Sequence, residues 1–254
     1  MSAQMKNRFR VLLCVMAALA LSGCWSRKEP KTLAIVNSII YDITDSGTYQ
    51  TVVELMNPSG TGGTPPNGGG SGKSPSITMI SEGPSPSEAI RNMAESIERT
   101  AFGSHNRMRF FSERLVKKDI APMADYFLRD PLTNETPLMA VIKGEEPKKI
   151  YSAVLGLSDM VGDYMEGLRK TQPAITSRSV FVTTLDFVKD YYHDGKQPVM
   201  GLVELVKCES KPSGNVQTIS QGAQSDSGKE YRIRYEGLAA FKGHRLAGIL
   251  CRNR

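Results

Sequence analysis

Cysteine is scarce in this chain: four in 254 residues, with three histidines and one tryptophan. So few cysteines do not make a disulfide framework, and none of them shows metal-ligand spacing. Dense Lys/Arg clusters interleaved with aromatics are missing as well, which argues against nucleic acid as a partner. The formal charge is +6, but Lys6, Arg8 and Arg10 supply half of it within the first 23 residues, which hold no Asp or Glu. Only one long apolar run is present, Val11 to Leu21, and it is short against the roughly 20 residues a spanning helix needs.

That run carries the clearest signal. A basic head, an apolar middle and the small residues Ser22 and Gly23 describe an export signal. Its end, Leu21-Ser22-Gly23-Cys24, places a cysteine at the cut site and so describes a lipoprotein signal. Cleavage is expected between Gly23 and Cys24, with the Cys24 thiol taking a diacylglycerol anchor and acyl chains such as palmitate. Two or more chains give stable membrane residence where one gives marginal binding. Residues 1–23 are therefore read as a signal peptide, and the rest as a body tethered from outside the membrane. Whether Cys208 and Cys251 pair stays open.

Beyond the signal the pattern is of mixed α and β. Leu33 to Tyr41 reads as a buried strand, Asp45-Ser46-Gly47 as a turn and Tyr49 to Met56 as the returning strand. Residues 58–76 are rich in Gly, Pro, Ser and Thr and are expected to form a flexible loop. Ile77 to Ser81 reads as a strand. Ser85-Pro86-Ser87-Glu88 then combines a cap, a first-turn proline and a reciprocal acid. The helix it starts is expected to run through Ile90, Met93, Ala94, Ile97 and Ala101 to a stop at Gly103.

Strands are expected at Met108 to Ser112 and Leu138 to Lys143, and helices at Glu113 to Lys118 and from Pro122 to Arg129. Pro147 to Val154 is expected to be helical, and Leu157, Met160, Val161, Tyr164, Met165 and Leu168 form a helical stripe. Leu185, Val188 and Tyr192 suggest another helix, and Pro198 to Lys207 a strand. Residues 209–229 read as a polar linker or loop. Tyr231 to Phe241, the turn Lys242-Gly243-His244 and Leu246 to Leu250 read as a hairpin. The fold class is α+β, with mixed sheets, packed helices and two subdomains.

No reaction centre stands out. His105, His193 and His244 are scattered, and Gly-x-Ser-x-Gly does not occur. Asp159 and Asp163 read as a solvated face, and His105 as a local hydrogen-bonding residue near Gly103. Gly70-Ser71-Gly72-Lys73-Ser74 touches the phosphate-loop pattern, but Asn67 stands where that pattern needs glycine and Pro75 follows it directly. The reading is of a protein that is not an enzyme and has neither cofactor nor metal.

Several segments in order resemble the Ger(x)C spore germination lipoproteins. They are Cys24-Trp25-Ser26-Arg27-Lys28-Glu29 with Leu33-Ala34-Ile35-Val36, Ser81-Glu82-Gly83 before the capped helix, and Phe102-Gly103-Ser104-His105. Phe111-Ser112-Glu113-Arg114-Leu115-Val116-Lys117, Asp125-Tyr126-Phe127-Leu128-Arg129-Asp130 and Glu236-Gly237-Leu238-Ala239-Ala240-Phe241-Lys242 continue the series. The resemblance implies the lipoprotein subunit of a germinant receptor, on the outer face of the spore inner membrane or the cell membrane. It implies assembly with two kinds of membrane subunit, contact with a small nutrient germinant through the complex, and no catalysis.

It also implies a domain plan of 24–208 as the N-terminal germination-protein domain and 230–254 as the start of a following region, cut short. On that plan the last hairpin is expected to be the weakest ordered element. A solute-binding lipoprotein of a transporter is the alternative, distinguished by tight binding of a small nutrient to the isolated soluble part.

Overall fold

The computed structural model describes residues 33–57, 74–130, 134–144, 146–155, 157–175, 179–207 and 231–251, with positions 4, 7, 8, 10–13 and 16 near the start. The chain divides into two compact units, Met1–Leu33 and Ala34–Arg254. In the first unit the described positions 4, 7, 8, 10–13 and 16 are helical. Among the described residues no helix is long and apolar enough to cross a membrane. Gly23, Cys24 and Cys208 lie outside the described residues, as do residues 58–73 of the expected loop, all of the linker at 209–229, and Gly70 to Lys73 of the phosphate-loop pattern.

The second unit is built on one mixed sheet. Its strands are β1 (Leu33–Ile43), β2 (Tyr49–Met56), β3 (Ser76–Gly83), β4 (Thr100–Phe102), β5 (Met108–Ser112), β6 (Leu138–Lys143), β7 (Ala153–Val154), β8 (Val182–Thr183), β9 (Val199–Lys207), β10 (Tyr231–Lys242) and β11 (Arg245–Leu250). Helices are α1 (Pro86–Glu95), α2 (Glu113–Lys118), α3 (Ala121–Arg129), α4 (Val161–Ile175) and α5 (Thr184–Tyr192). The sheet order is β11-β10-β9-β6-β5-β1-β2-β3, with β4 beside β1, β7 beside β10 and β8 beside β6.

Four central strands, β9, β6, β5 and β1, run parallel to one another, and antiparallel strands extend the sheet on both sides. Parallel strands need a covered sheet, because their crossovers lie on its faces. That explains why β5 and β6 bury residues on both sides, with Met108, Phe110, Phe111, Met139, Val141 and Ile142 all buried. One face is packed by Met93 of α1, Leu115 and Val116 of α2, Met123 and Phe127 of α3 and Phe187 of α5. The other is packed by Ile150 of a 3-10 turn, Pro147–Ser152, and by Val161 and Met165 of α4.

Most of the expected elements form, several to the residue: Met108–Ser112, Glu113–Lys118 and Leu138–Lys143. The α1 cap forms as expected, with Ser85 accepting a hydrogen bond from the Glu88 amide. Three expectations are corrected. The α1 helix stops at Glu95 rather than running to Gly103, and Ala101 lies in β4. The segment from Pro147 is a 3-10 turn followed by the short strand β7. Leu157 stands outside α4, fully exposed, while Val161 and Met165 carry the buried stripe.

The final hairpin divides between core and surface. Ile233, Tyr235, Ala239 and Phe241 of β10 are buried, whereas β11 exposes Arg245, Gly248 and Leu250. A bulge between Tyr235 and Leu238 holds Gly237 at φ 105°, a backbone shape that other residues rarely adopt. On the neighbouring strand a side chain at Gly201 would collide with the Tyr235 hydroxyl, which donates to the Val180 carbonyl at 2.7 Å.

Candidate functional site

A cavity of about 1040 Å³ opens on the α1 face of the sheet, between β1, α1, β4 and α3. After Glu95 the chain leaves the helix and returns beside β1 as β4, and residues 97–101 of this stretch line the cavity. Val36 and Ile39 of β1 and Ile90 and Met93 of α1 form its apolar wall. Arg91, Glu98, Arg99, Asp125 and Arg129 stand around it. Arg129 pairs with Asp125 at 2.7 Å and Arg99 approaches Glu98 at 4.0 Å.

Arg109 of β5 lines this cavity and is only 3% exposed. One guanidinium nitrogen, Nη1, donates to the Thr184 hydroxyl at 2.7 Å, and the guanidinium lies 4.6 Å from the centre of the Phe127 ring. Its Nε–H is buried without a hydrogen-bond partner, and among the described residues it forms no ion pair. Burial lowers its proton affinity, opposed by the nearby Tyr41 and Tyr126 hydroxyls and, more weakly, by Asp130. It remains a cation all the same. The neighbouring Tyr41 hydroxyl is pushed up to about 12, first by burial, with Arg109 acting the other way.

Asn106 also lines the cavity and is buried. Its Oδ1 accepts from the Met108 amide at 3.2 Å, while its Nδ2 has no partner. These two donors, Arg109 Nε and Asn106 Nδ2, are enclosed by the protein, with almost no accessible surface of their own.

The opposite face of the sheet holds the converse case. Glu54 of β2 is 2% exposed and accepts hydrogen bonds from the Ser38 hydroxyl at 2.8 Å and the Val161 amide at 3.0 Å. The Gly162 amide approaches it at 3.5 Å. Both amides belong to the first turn of α4, where a carboxylate also meets the favourable end of the helix dipole. Burial raises the Glu54 pKa above its ordinary value, with the Val161, Ser38 and Gly162 bonds opposing.

The histidines are not brought together. His105 contacts the Phe102 ring at 5.9 Å rather than making a hydrogen bond among the described residues. His193 Nδ1 lies 2.7 Å from the Asp194 carbonyl oxygen, and His244 Nδ1 lies 2.5 Å from the Tyr191 hydroxyl oxygen. Asp163 pairs with Arg107 at 2.9 Å. Among the described residues no group of three or more His, Cys, Asp or Glu side chains is placed to hold a metal.

Arg109, Asn106 and Glu54 were not singled out by sequence reasoning. A signal was present: Met108-Arg109-Phe110-Phe111 and Val52-Val53-Glu54-Leu55 each set one charged residue inside an apolar strand. In a strand buried on both faces, that residue has nowhere to go but inside.

Residues 26–205 match the family described as Spore germination protein N-terminal domain. Among curated proteins, YfkR of Bacillus subtilis (strain 168), whose name places it among spore germination proteins, is 27% identical over 245 residues, 96% of this chain. Spore germination protein KC of the same organism is 29% identical over 109 residues, 42% of this chain. The chain spans 58% of the length of YfkR, and its match to protein KC covers 26% of that protein. No solved structure matches. With 180 of its 254 residues inside the matched span, the chain belongs to the Spore germination protein N-terminal domain family.

Proposed function

We propose that this chain is the lipid-anchored subunit of a spore germinant receptor. The observation that carries the reading is a juxtaposition in sequence. The family match begins at residue 26, two positions after Cys24, and Cys24 closes a lipoprotein signal. Cleavage after Gly23 would place the acylated Cys24 at the start of the mature chain, directly before the sheet that begins at Leu33. The relatives are spore germination proteins by name, which supports a role in germination. The protein works by assembly rather than catalysis: it sits on the outer face of the spore inner membrane or the cell membrane and docks with the receptor's membrane subunits, through which a nutrient germinant is sensed.

Metabolic labelling with a fatty acid tests the anchor. The wild-type chain takes label and Cys24→Ala does not, accumulating instead as the longer precursor. Undiminished label in Cys24→Ala defeats the anchoring step. Co-purification from detergent-solubilised spore membranes tests assembly, with the membrane subunits recovered alongside the wild-type chain.

A further inference from the structure

We propose that the outer edge of β3 is a docking site for an extended basic segment of another protein, which joins the sheet there as a further strand.

The edge is open. β3 pairs with β2 on one side, and among the described residues no strand pairs with it on the other. Which backbone groups face outward follows from the ladder. Just past its end, the Asn57 amide donates to the Pro75 carbonyl at 2.8 Å. Bonded and unbonded residues alternate along an antiparallel pair, so Ile77, Met79, Ser81 and Gly83 turn their backbone groups toward β2. Ser76, Thr78, Ile80 and Glu82 turn theirs away. The Asn92 side chain of α1 agrees with this parity, since its Nδ2 donates to the Glu82 carbonyl at 2.8 Å. That contact closes one end of the edge. It leaves Thr78 and Ile80 with N–H and C=O groups directed outward and unpaired by any described strand.

Edge strands are commonly guarded by a proline, a bulge or a lysine. β3 has none of these: its eight residues pair with β2 without a break, and its one charge is Glu82. β11, at the far edge, begins with Arg245 and meets a bulge between Ala240 and Phe241. Ile77 and Ile80, 49% and 53% exposed, leave hydrocarbon on both faces of the β3 edge, which an added strand would cover.

Charge names the occupant. Glu88, Asn92 and Glu95 recur at i, i+4 and i+7 along one side of α1, and the Asn92 contact places that side over the β3 edge. Both glutamates are exposed, as is Glu82, and among the described residues none of the three is in an ion pair. Arg91, the cation between them in sequence, lines the cavity. A second copy of this chain would set these acids against their own kind, whereas a strand bearing Lys or Arg would meet opposite charge. Side chains alternate along a strand, so one with basic residues on one face and aliphatic residues on the other fits both sides. Its basic face meets α1, and its aliphatic face covers Ile80, which stands beside Val52 on the α4 face.

The experiment is fluorescence anisotropy with the full-length chain in detergent and a labelled ten-residue peptide of alternating lysine and valine. Its expected Kd is about 100 μM or tighter, and a glutamate–valine counterpart should bind at least about tenfold more weakly. Methylating the valine amides keeps the charge but blocks strand addition, and should weaken binding about tenfold as well. Thr78→Pro removes an outward N–H and no bond to β2, so the chain should stay folded by circular dichroism and lose the peptide. Glu88→Lys combined with Glu95→Lys should also lose it. Absence of binding by the lysine–valine peptide overturns the proposal. So does equal binding of the methylated peptide, which means that charge alone attracts it, whatever Thr78→Pro does to folding. Unchanged binding by a folded Thr78→Pro overturns it too, as does a dimer in sedimentation that this variant dissolves, which assigns the edge to a second copy.

Discussion

Glu54 and Arg109 are buried on opposite faces of the same sheet, and they are treated differently. Glu54 is met on the α4 face by two backbone amides and a hydroxyl. Arg109, on the α1 face, has the Thr184 hydroxyl and the Phe127 ring in contact, the Tyr41 hydroxyl and the Asp130 charge nearby, and one N–H group unmatched. A buried charge whose hydrogen bonds are complete holds structure together. A buried charge whose hydrogen bonds are incomplete contributes less to holding it, because part of its desolvation goes uncompensated. The difference lies in what surrounds each residue, not in the residue itself.

Removing the matched charge should do the most damage. Glu54→Leu leaves the Val161 and Gly162 amides and the Ser38 hydroxyl facing an apolar side chain, and is expected to cost about 3 kcal/mol or more of stability in urea melts. Ser38→Ala removes one donor to the carboxylate and should cost about 1.5 kcal/mol by the same measurement. Arg109→Met should change stability by less than about 1 kcal/mol in either direction, since a hydrophobic replacement of an unmatched buried charge is often neutral or better. A large loss in that variant would erase the contrast between the two faces.

The smallest effect is one of pH. Because burial raises the Glu54 pKa, the folded chain holds its proton more tightly than the unfolded chain. Stability from this group is present at low pH and falls as pH rises from the ordinary carboxylate range through the raised folded value. Denaturant melts across that window should show wild type losing stability relative to Glu54→Gln as pH rises. The opposite slope would mean that the three donors outweigh burial.

The fold was largely legible, because the central strands are short apolar runs between punctuating residues, as Leu138 to Lys143 shows. Where local periodicity and tertiary structure disagreed, periodicity misled. Ile97 and Ala101 continue the α1 spacing, yet Ala101 leaves the helix to lie in β4. Leu157 keeps the α4 spacing and is in water. The cavity was not legible either, since its lining comes from β1, α1, β4 and α3, which only the folded chain brings together. Arg109 was passed over inside a strand read only as apolar. Nothing local to β5 announces Thr184, which is 75 positions away and joins it only in the folded chain.

The Glu54 clasp also has a consequence in time. It joins residues 107 positions apart, whereas the β1–β2 hairpin that carries the carboxylate closes through a short turn. Hairpins of that kind close in about 1–10 μs, and contacts across long stretches of chain come later. Until α4 arrives, the Glu54 carboxylate remains in water and contributes nothing to holding the chain together. Once α4 is seated, breaking the clasp means pulling a helix end off a carboxylate that water cannot yet reach. Glu54→Leu should therefore steepen the rate of unfolding and leave the folding arm of the chevron nearly where it was. The clasp does not guide the chain to its fold; it slows the chain's departure from it.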